Sequence, residues 1–147
     1  MKKQIQTWML IAFLGTAFTA TAQEKVITVN QLPKTAQSFI SSHYAKSPVS
    51  LVKSEKETLS PLEYKVVLQD GTEIEFDEQG NWTEIDGKRN AVPAAIVPAA
   101  IKAHVNKSFP NNEIVEIKKK KKGYEVELTS GIDLKFDAKG KFLKIDD

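Results

Sequence analysis

Two imidazoles, at His43 and His104, are the side chains of this chain best suited to proton transfer or metal binding near neutral pH. A zinc or copper site would need further ligands at suitable spacing, and none accompanies them. Each therefore reads as a half-buried histidine at the edge of a helix. The chain has no cysteine, which removes thiol catalysis, disulfide frameworks and Cys-based zinc sites. No Gly-x-Ser-x-Gly elbow and no phosphate-cradling glycine loop occurs. Asp77-x-x-Gly80 and Asp137-x-x-Gly140 lack the alternating oxygen donors of a calcium loop and read as turns. The remaining carboxylates alternate with apolar residues, the pattern of an outward polar face rather than of an acid–base pair. No catalytic, cofactor-binding or metal-binding residue is nominated. The chain reads as a non-enzyme, with no cofactor expected.

Recognition chemistry has more material. Trp82 lies three residues before Ile85, and Phe142 three before Ile145. In a regular strand that spacing puts each aromatic on the face opposite its isoleucine. If the isoleucines face a core, Trp82 and Phe142 stand on an open sheet face, where aromatics can anchor a partner. A bulge after Gly80 or Gly140 would turn both inward instead. Val67 is out of phase with Val66 and Leu68 and joins the same open face. Lys119, Lys120 and Lys121 belong to a run of five lysines ending at Lys122. The run reads as a solvated hairpin tip that discourages edge-to-edge aggregation, or as a patch for an acidic partner. The candidate protein-binding residues are thus Trp82, Phe142, Val67, Lys119, Lys120 and Lys121.

These residues must be positioned by strands, and the strands recur. Tyr64-Lys-Val66-Val-Leu68-Gln-Asp-Gly71 matches Tyr124-Glu-Val126-Glu-Leu128-Thr-Ser-Gly131 at an offset of 60 residues. Phe76-Asp77 and Phe136-Asp137 keep the offset, as do Ile85-Asp86 and Ile145-Asp146. Pro33 and Pro98 each open a helical stretch, carrying Ala36, Phe39 and Ile40 in the first and Ile101, His104 and Val105 in the second. His104 takes the place of Phe39 on the helix. Alternation then predicts first strands over Val49–Lys56 and Ile114–Lys120, and last strands over Trp82–Asp86 and Phe142–Asp146. The expected fold is α+β. It is a tandem repeat of one helix plus a four-stranded antiparallel meander, with the helices on one face of a curved sheet. The two units span 23–90 and 91–147 and pack as one rigid body.

The N-terminus reads as an export signal. Lys2 and Lys3 precede a 13-residue apolar run from Trp8 to Ala20, and Ala20-Thr21-Ala22 is a small-x-small cleavage pattern. The run is shorter than the ~20 residues of a membrane span. Residues 1–22 are expected to be removed, with no membrane insertion afterwards. Of 21 basic residues the leader holds two, which leaves 19 against 19 acidic, so the remaining chain has no net charge. That balance argues against nucleic acid as a partner.

The leader, the Leu-Pro and Val-Pro helix starts, the Tyr-x-Val-x-Leu strands and the Phe-Asp-x-x-Gly-x-aromatic-x-x-Ile-Asp endings resemble the PepSY-like family. Its members are secreted bacterial proteins also described as β-lactamase-inhibitor-like (BLIP-like). The resemblance covers residues 26 to 147. It implies a sheet surface left open opposite the helices, and protein binding or protease regulation outside the cytoplasm. No motif here maps to β-lactamase inhibition. The expectation is a periplasmic or secreted binding or inhibitory module that recognises an extracytoplasmic protein or peptide through its open sheet face. The alternative is a structural envelope protein with no specific ligand.

Overall fold

The computed structural model describes residues 23–146. The expected leader and its cleavage site lie outside the described residues.

The first strand, β1 (Gln23–Ile27), leads through a 3-10 turn at Val29–Gln31 into α1 (Lys34–His43). Four strands follow: β2 (Val49–Lys56), β3 (Glu63–Leu68), β4 (Glu73–Phe76) and β5 (Trp82–Asp86). After α2 (Ala99–Ser108) come β6 (Ile114–Lys120), β7 (Gly123–Leu128), β8 (Asp133–Asp137) and β9 (Phe142–Asp146). Pro33 and Pro98 cap the two helices, and their carbonyls accept the first helical hydrogen bonds, from Gln37 and Lys102, both at 3.1 Å. A proline there gives up no hydrogen bond, because the first helical N–H groups have no partner within the helix.

All nine strands form one antiparallel sheet in chain order. This overturns the expected tandem repeat of one helix plus a four-stranded meander. β5 pairs directly with β6, with Glu84 opposite Lys118, Ile85 opposite Ile117 and Asp86 opposite Glu116. The strands on either side of the connecting segment are therefore continuous. The segment itself is tied to β6: Gly87 N–H donates to the Val115 carbonyl at 2.7 Å and Val92 N–H to the Ile114 carbonyl at 2.8 Å. The ninth strand, β1, escapes an alternation search because it is an edge strand. Only Ile27 of its five residues is even half-buried.

The sheet has a dry face and a wet face, set by the period of two along each strand. Following the register from β1 to β9, one row reads Ile27, Val52, Val66, Ile74, Ile85, Ile117, Val126, Leu134 and Ile145. Both helices cover this face. Ala36 and Ile40 of α1, and Ile101 and Val105 of α2, join the same core cluster as the row. Each fully buried branched side chain contributes about 1.5–3 kcal/mol, against about 0–1 kcal/mol for an exposed ion pair. This apolar row and the helices above it hold the fold, and the charged residues are free for other work.

Gly80 shows how closely helix and turn approach. It closes the β4–β5 turn at φ +84°, a left-handed conformation that favours glycine. A Cβ there would lie 2.7 Å from Pro33 Cβ and 2.9 Å from Ala36 N, at the start of α1.

Candidate binding face

The open face is built from two cross-strand rows that flank the apolar one on the other side of the pleat. The first reads Val26, Lys53, Lys65, Glu75, Glu84, Lys118, Glu125, Lys135 and Lys144. The second begins Leu51, Val67 and then runs Glu73, Asp86, Glu116, Glu127, Asp133 and Asp146. The second row is acidic on every strand from β4 to β9. Like charges directly opposite one another on neighbouring strands are destabilising, so an unbroken acidic ladder calls for compensation.

Lysines of the first row, with Lys88 from the turn after β5, supply part of it. Lys65 reaches Glu73 at 2.7 Å and Glu75 at 3.5 Å, and Lys88 reaches Glu73 at 3.4 Å and Asp86 at 2.5 Å. Lys118 bridges Glu116 at 2.8 Å and Glu84 at 3.2 Å. At the β9 end Lys135 and Lys144 hold Asp146 at 2.6 and 2.8 Å. Hydrogen bonding to Lys65 pulls the Glu73 carboxyl below the usual range, and the same contact raises Lys65. Partial burial would raise Asp86, but the Lys88 ammonium and backbone N–H overcome it and the net shift is downward.

Compensation lapses between Glu116 and Asp146. Among the described residues no ion pair reaches Glu127 or Asp133. The Glu127 carboxyl is pushed up, first by loss of water and then by Glu116, Asp133 and Asp86 around it. Glu84 is also raised, by burial and by Glu116, with Lys118 opposing. A depression of about 160 Å³ opens here, lined by Glu116, Glu127, Asp133 and Asp146, with Lys118 and Lys135 at its side; Val126 and Leu134 also border it, though they belong to the buried row of the other face. A larger groove, about 390 Å³, lies between the connecting segment and α2; Val92, Pro93, Val97, Val105 and Ile114 line it.

The candidates named from the sequence do not gather on one surface. Val67 is on the open face, half-buried between Leu51 and Glu73. Trp82 and Phe142 are on the helix face. The register shifts between Glu75 and Phe76, so Trp82 stands opposite Phe76 while Ile85 stands opposite Ile74. The same bulge sets Phe142 opposite Phe136 and Ile145 opposite Leu134. One extra residue restores each aromatic to the side of its isoleucine, so the expected open-face placement does not hold. Both rings are half-buried against the core.

The lysines divide likewise. Lys120 reaches Glu125 at 3.2 Å, next to the open-face row. Lys119 turns to the helix face, with Nζ 3.8 Å from the centre of the Trp82 ring. Partial burial lowers its pKa. Lys121 is exposed in the turn. His104 stacks on Phe142 at 4.4 Å with ring planes 10° apart, and meets Phe136 edge-on at 5.6 Å. The acidic row was missed because its members are far apart in sequence. Their outward parity is legible strand by strand, but which strands adjoin, and in what register, is not.

Residues 62–144 match the family model described as "Putative beta-lactamase-inhibitor-like, PepSY-like". The chain belongs to the PepSY-like family. Crystal structures with the same fold include a "putative calcium-regulated periplasmic protein" of Bacteroides thetaiotaomicron. It is 42% identical, with a TM-score of 0.81 over 84% of this chain and 97% of that one. A "putative periplasmic protein" of Bacteroides vulgatus is 40% identical, with a TM-score of 0.79 over 84% of this chain and 97% of the other. A second protein of that organism, also described as periplasmic, is 36% identical, with a TM-score of 0.81 over 85% and 100% of the two chains. No significant match exists among curated proteins. This PepSY-like chain is periplasmic or secreted, in keeping with those relatives. Among the described residues no helix is long and apolar enough to cross a membrane.

Proposed function

We propose that this PepSY-like protein is a non-enzymatic binding module of the periplasm that recognises a basic protein or peptide segment through its open sheet face. The observation that carries the reading is the acidic row from Glu73 to Asp146, and above all that, among the described residues, no ion pair reaches Glu127 or Asp133. A lysine or arginine side chain entering the depression would relieve repulsion that the fold leaves standing. Arginine fits best, because its planar fork can meet two carboxylates at once. Val67 and Leu51 extend the row with apolar surface on which the rest of a peptide could rest. The charged rims of such surfaces govern encounter rate and salt dependence more than final affinity.

The test is capture from a native envelope fraction by residues 23–147, beside the Glu116→Gln/Glu127→Gln/Asp133→Asn variant. The reading expects a partner retained by the parent, released by salt and lost with the variant. Equal capture by both proteins would overturn it. A second reading takes its support from the calcium-regulated relative: the same carboxylates would attract a divalent cation. Among the described residues no three metal-binding side chains stand ready as a ligand set, so Glu116, Glu127 and Asp133 would have to converge. Calorimetric titration with calcium alone separates this from peptide recognition; heat lost in the same variant would support it, and no heat with the parent would reject it.

A further inference from the structure

The apolar row of the helix face is half-buried at Ile27, sealed through its middle and most open at its β9 end. Val52 to Leu134 are buried, yet Ile145 is 48% exposed and Leu143 beside it 58%. The matching residue of β5, Ile85, is fully buried. Both strands have the same bulge and the same pairing to the strand before. They differ in that β6 lies against β5, with Ile117 opposite Ile85. Among the described residues β9 pairs with β8 alone. The other sheet edge is different: β1 places Gln23, Glu24 and Lys25 along most of its length, the usual protection of an edge by polar residues.

We propose that β9 is a self-association edge, where two copies of this chain pair antiparallel about a two-fold axis through Ile145. An axis normal to the sheet keeps each residue on its own face, so the central residue must oppose itself. Centring on Lys144 would set lysine against lysine, and centring on Asp146 carboxylate against carboxylate. Centring on Ile145 sets Ile145 against Ile145 of the partner subunit and continues the apolar row across the junction. It also places Lys144 opposite Asp146 of the partner subunit, and Asp146 opposite Lys144 of the partner subunit. All four charges are on the open face, because Lys144 stands beside Lys135 and Asp146 beside Asp133. The helices of both copies then lie on one side of a joined sheet. Centred on Ile145, the pairing matches only residues 144–146 of the five-residue strand with one another, and so buries far less than the ~1,200 Å² of a stable complex. The product is a reversible dimer, favoured by high local concentration.

Sedimentation equilibrium on residues 23–147 over a wide concentration range tests this, with the melting curve of each variant as a check of folding. Lys144→Glu should weaken the dimer by roughly tenfold or more, since it opposes like charges twice across the axis. The Lys144→Glu/Asp146→Lys exchange should restore it. The absence of native cysteine gives a second readout that needs no charge change. Ile145→Cys should form a covalent dimer on mild oxidation, while Val26→Cys, on the other edge, should not. A parent that stays monomeric at the highest concentration reached would overturn the proposal. So would a dimer unaffected by Lys144→Glu, or cross-linking of Val26→Cys as readily as of Ile145→Cys.

Discussion

Trp82 and Phe142 stand in two stretches of the same local pattern and meet different neighbours. Each follows a glycine by two residues, sits across a bulge from a buried phenylalanine, and faces the helices. Phe142 is roofed by α2, whose His104 stacks flat upon it. Phe39, at the corresponding place on α1, meets Phe76 edge-on at 5.7 Å. Among the described residues no ring stacks on Trp82; its roof is the Lys119 ammonium, reaching over from β6. The difference comes from position in the sheet. β5 is central and has a following strand whose lysine can reach the indole, whereas β9 is an edge strand and depends on the helix. The strand pattern decides which face a side chain takes, and the adjoining elements decide what covers it.

The largest consequence concerns the isoleucines. Ile85→Ala should destabilise the protein by about 2–5 kcal/mol, as for a sealed core site that cannot collapse. Ile145→Ala, on a side chain already half in water, should cost about 1 kcal/mol or less. Urea unfolding of the two variants checks this, and equal losses would break the comparison at its root.

The two turns offer the next contrast. Gly80 and Gly140 have nearly the same φ, +84° and +80°, so alanine meets the same backbone strain of about 1–2 kcal/mol at both. The room differs. At Gly80 the new methyl would strike backbone, Ala36 N at 2.9 Å, while at Gly140 its nearest contact is the Ala100 methyl at 3.0 Å. Gly80→Ala should therefore lose about 1–3 kcal/mol more than Gly140→Ala. Thermal unfolding of both proteins would show it; the reverse order would mean that α1 shifts more easily than α2.

How much of this could be read from the chain follows the range of each interaction. The limits of β2, β5, β6 and β9 emerge from alternation, because one face of each strand is apolar. The Asp77 and Asp137 turns are equally local, since each carboxylate accepts hydrogen bonds from N–H groups two and four residues ahead. His104 standing in for Phe39 is legible from helix spacing. The pairing of β5 with β6 is not, because a strand edge leaves no mark on the sequence that says which edge it will meet. The bulges are the sharpest case: one residue, Thr83 or Leu143, moves Trp82 and Phe142 to the other side of the sheet. The acidic row needs every register at once, so no local reading could assemble it.

Trp82 gives a third, smaller test. Lys119→Gln removes the charge over the indole and should cost about 0.5–1 kcal/mol, the scale of a partly exposed cation–π contact. Lys121→Gln, in the exposed turn, should change stability less. Trp82 is the single tryptophan of residues 23–147, so its fluorescence reports directly on the change. No spectral shift with Lys119→Gln, together with unchanged stability, would remove Lys119 from the account of Trp82.

The smallest effect distinguishes a paired from an unpaired member of the acidic row by pH. Glu73, held by Lys65 and Lys88, has a lowered folded pKa. It adds stability above the ordinary glutamate value, and that stability is lost as pH falls through the lowered one. Glu127 has a raised pKa, and among the described residues no ion pair reaches it. Its folded form binds more protons than the unfolded chain just above the ordinary glutamate value. Stability therefore falls as pH rises through that window, and the full penalty stands at neutral pH. Glu127→Gln should accordingly stabilise the protein at neutral pH and have no effect once pH is below the unfolded value. Glu73→Gln should destabilise at neutral pH, with the loss fading in acid. Both carboxyls are partly exposed, so solvent screens them, and each effect should stay below about 1 kcal/mol and shrink with salt. Paired urea titrations of the two variants, in low salt from acid to neutral pH, measure the opposite slopes. If Glu127→Gln also destabilised the protein at neutral pH, Glu127 would have a favourable partner in solution, and the uncompensated stretch of the row would lose its claim to attract a basic ligand.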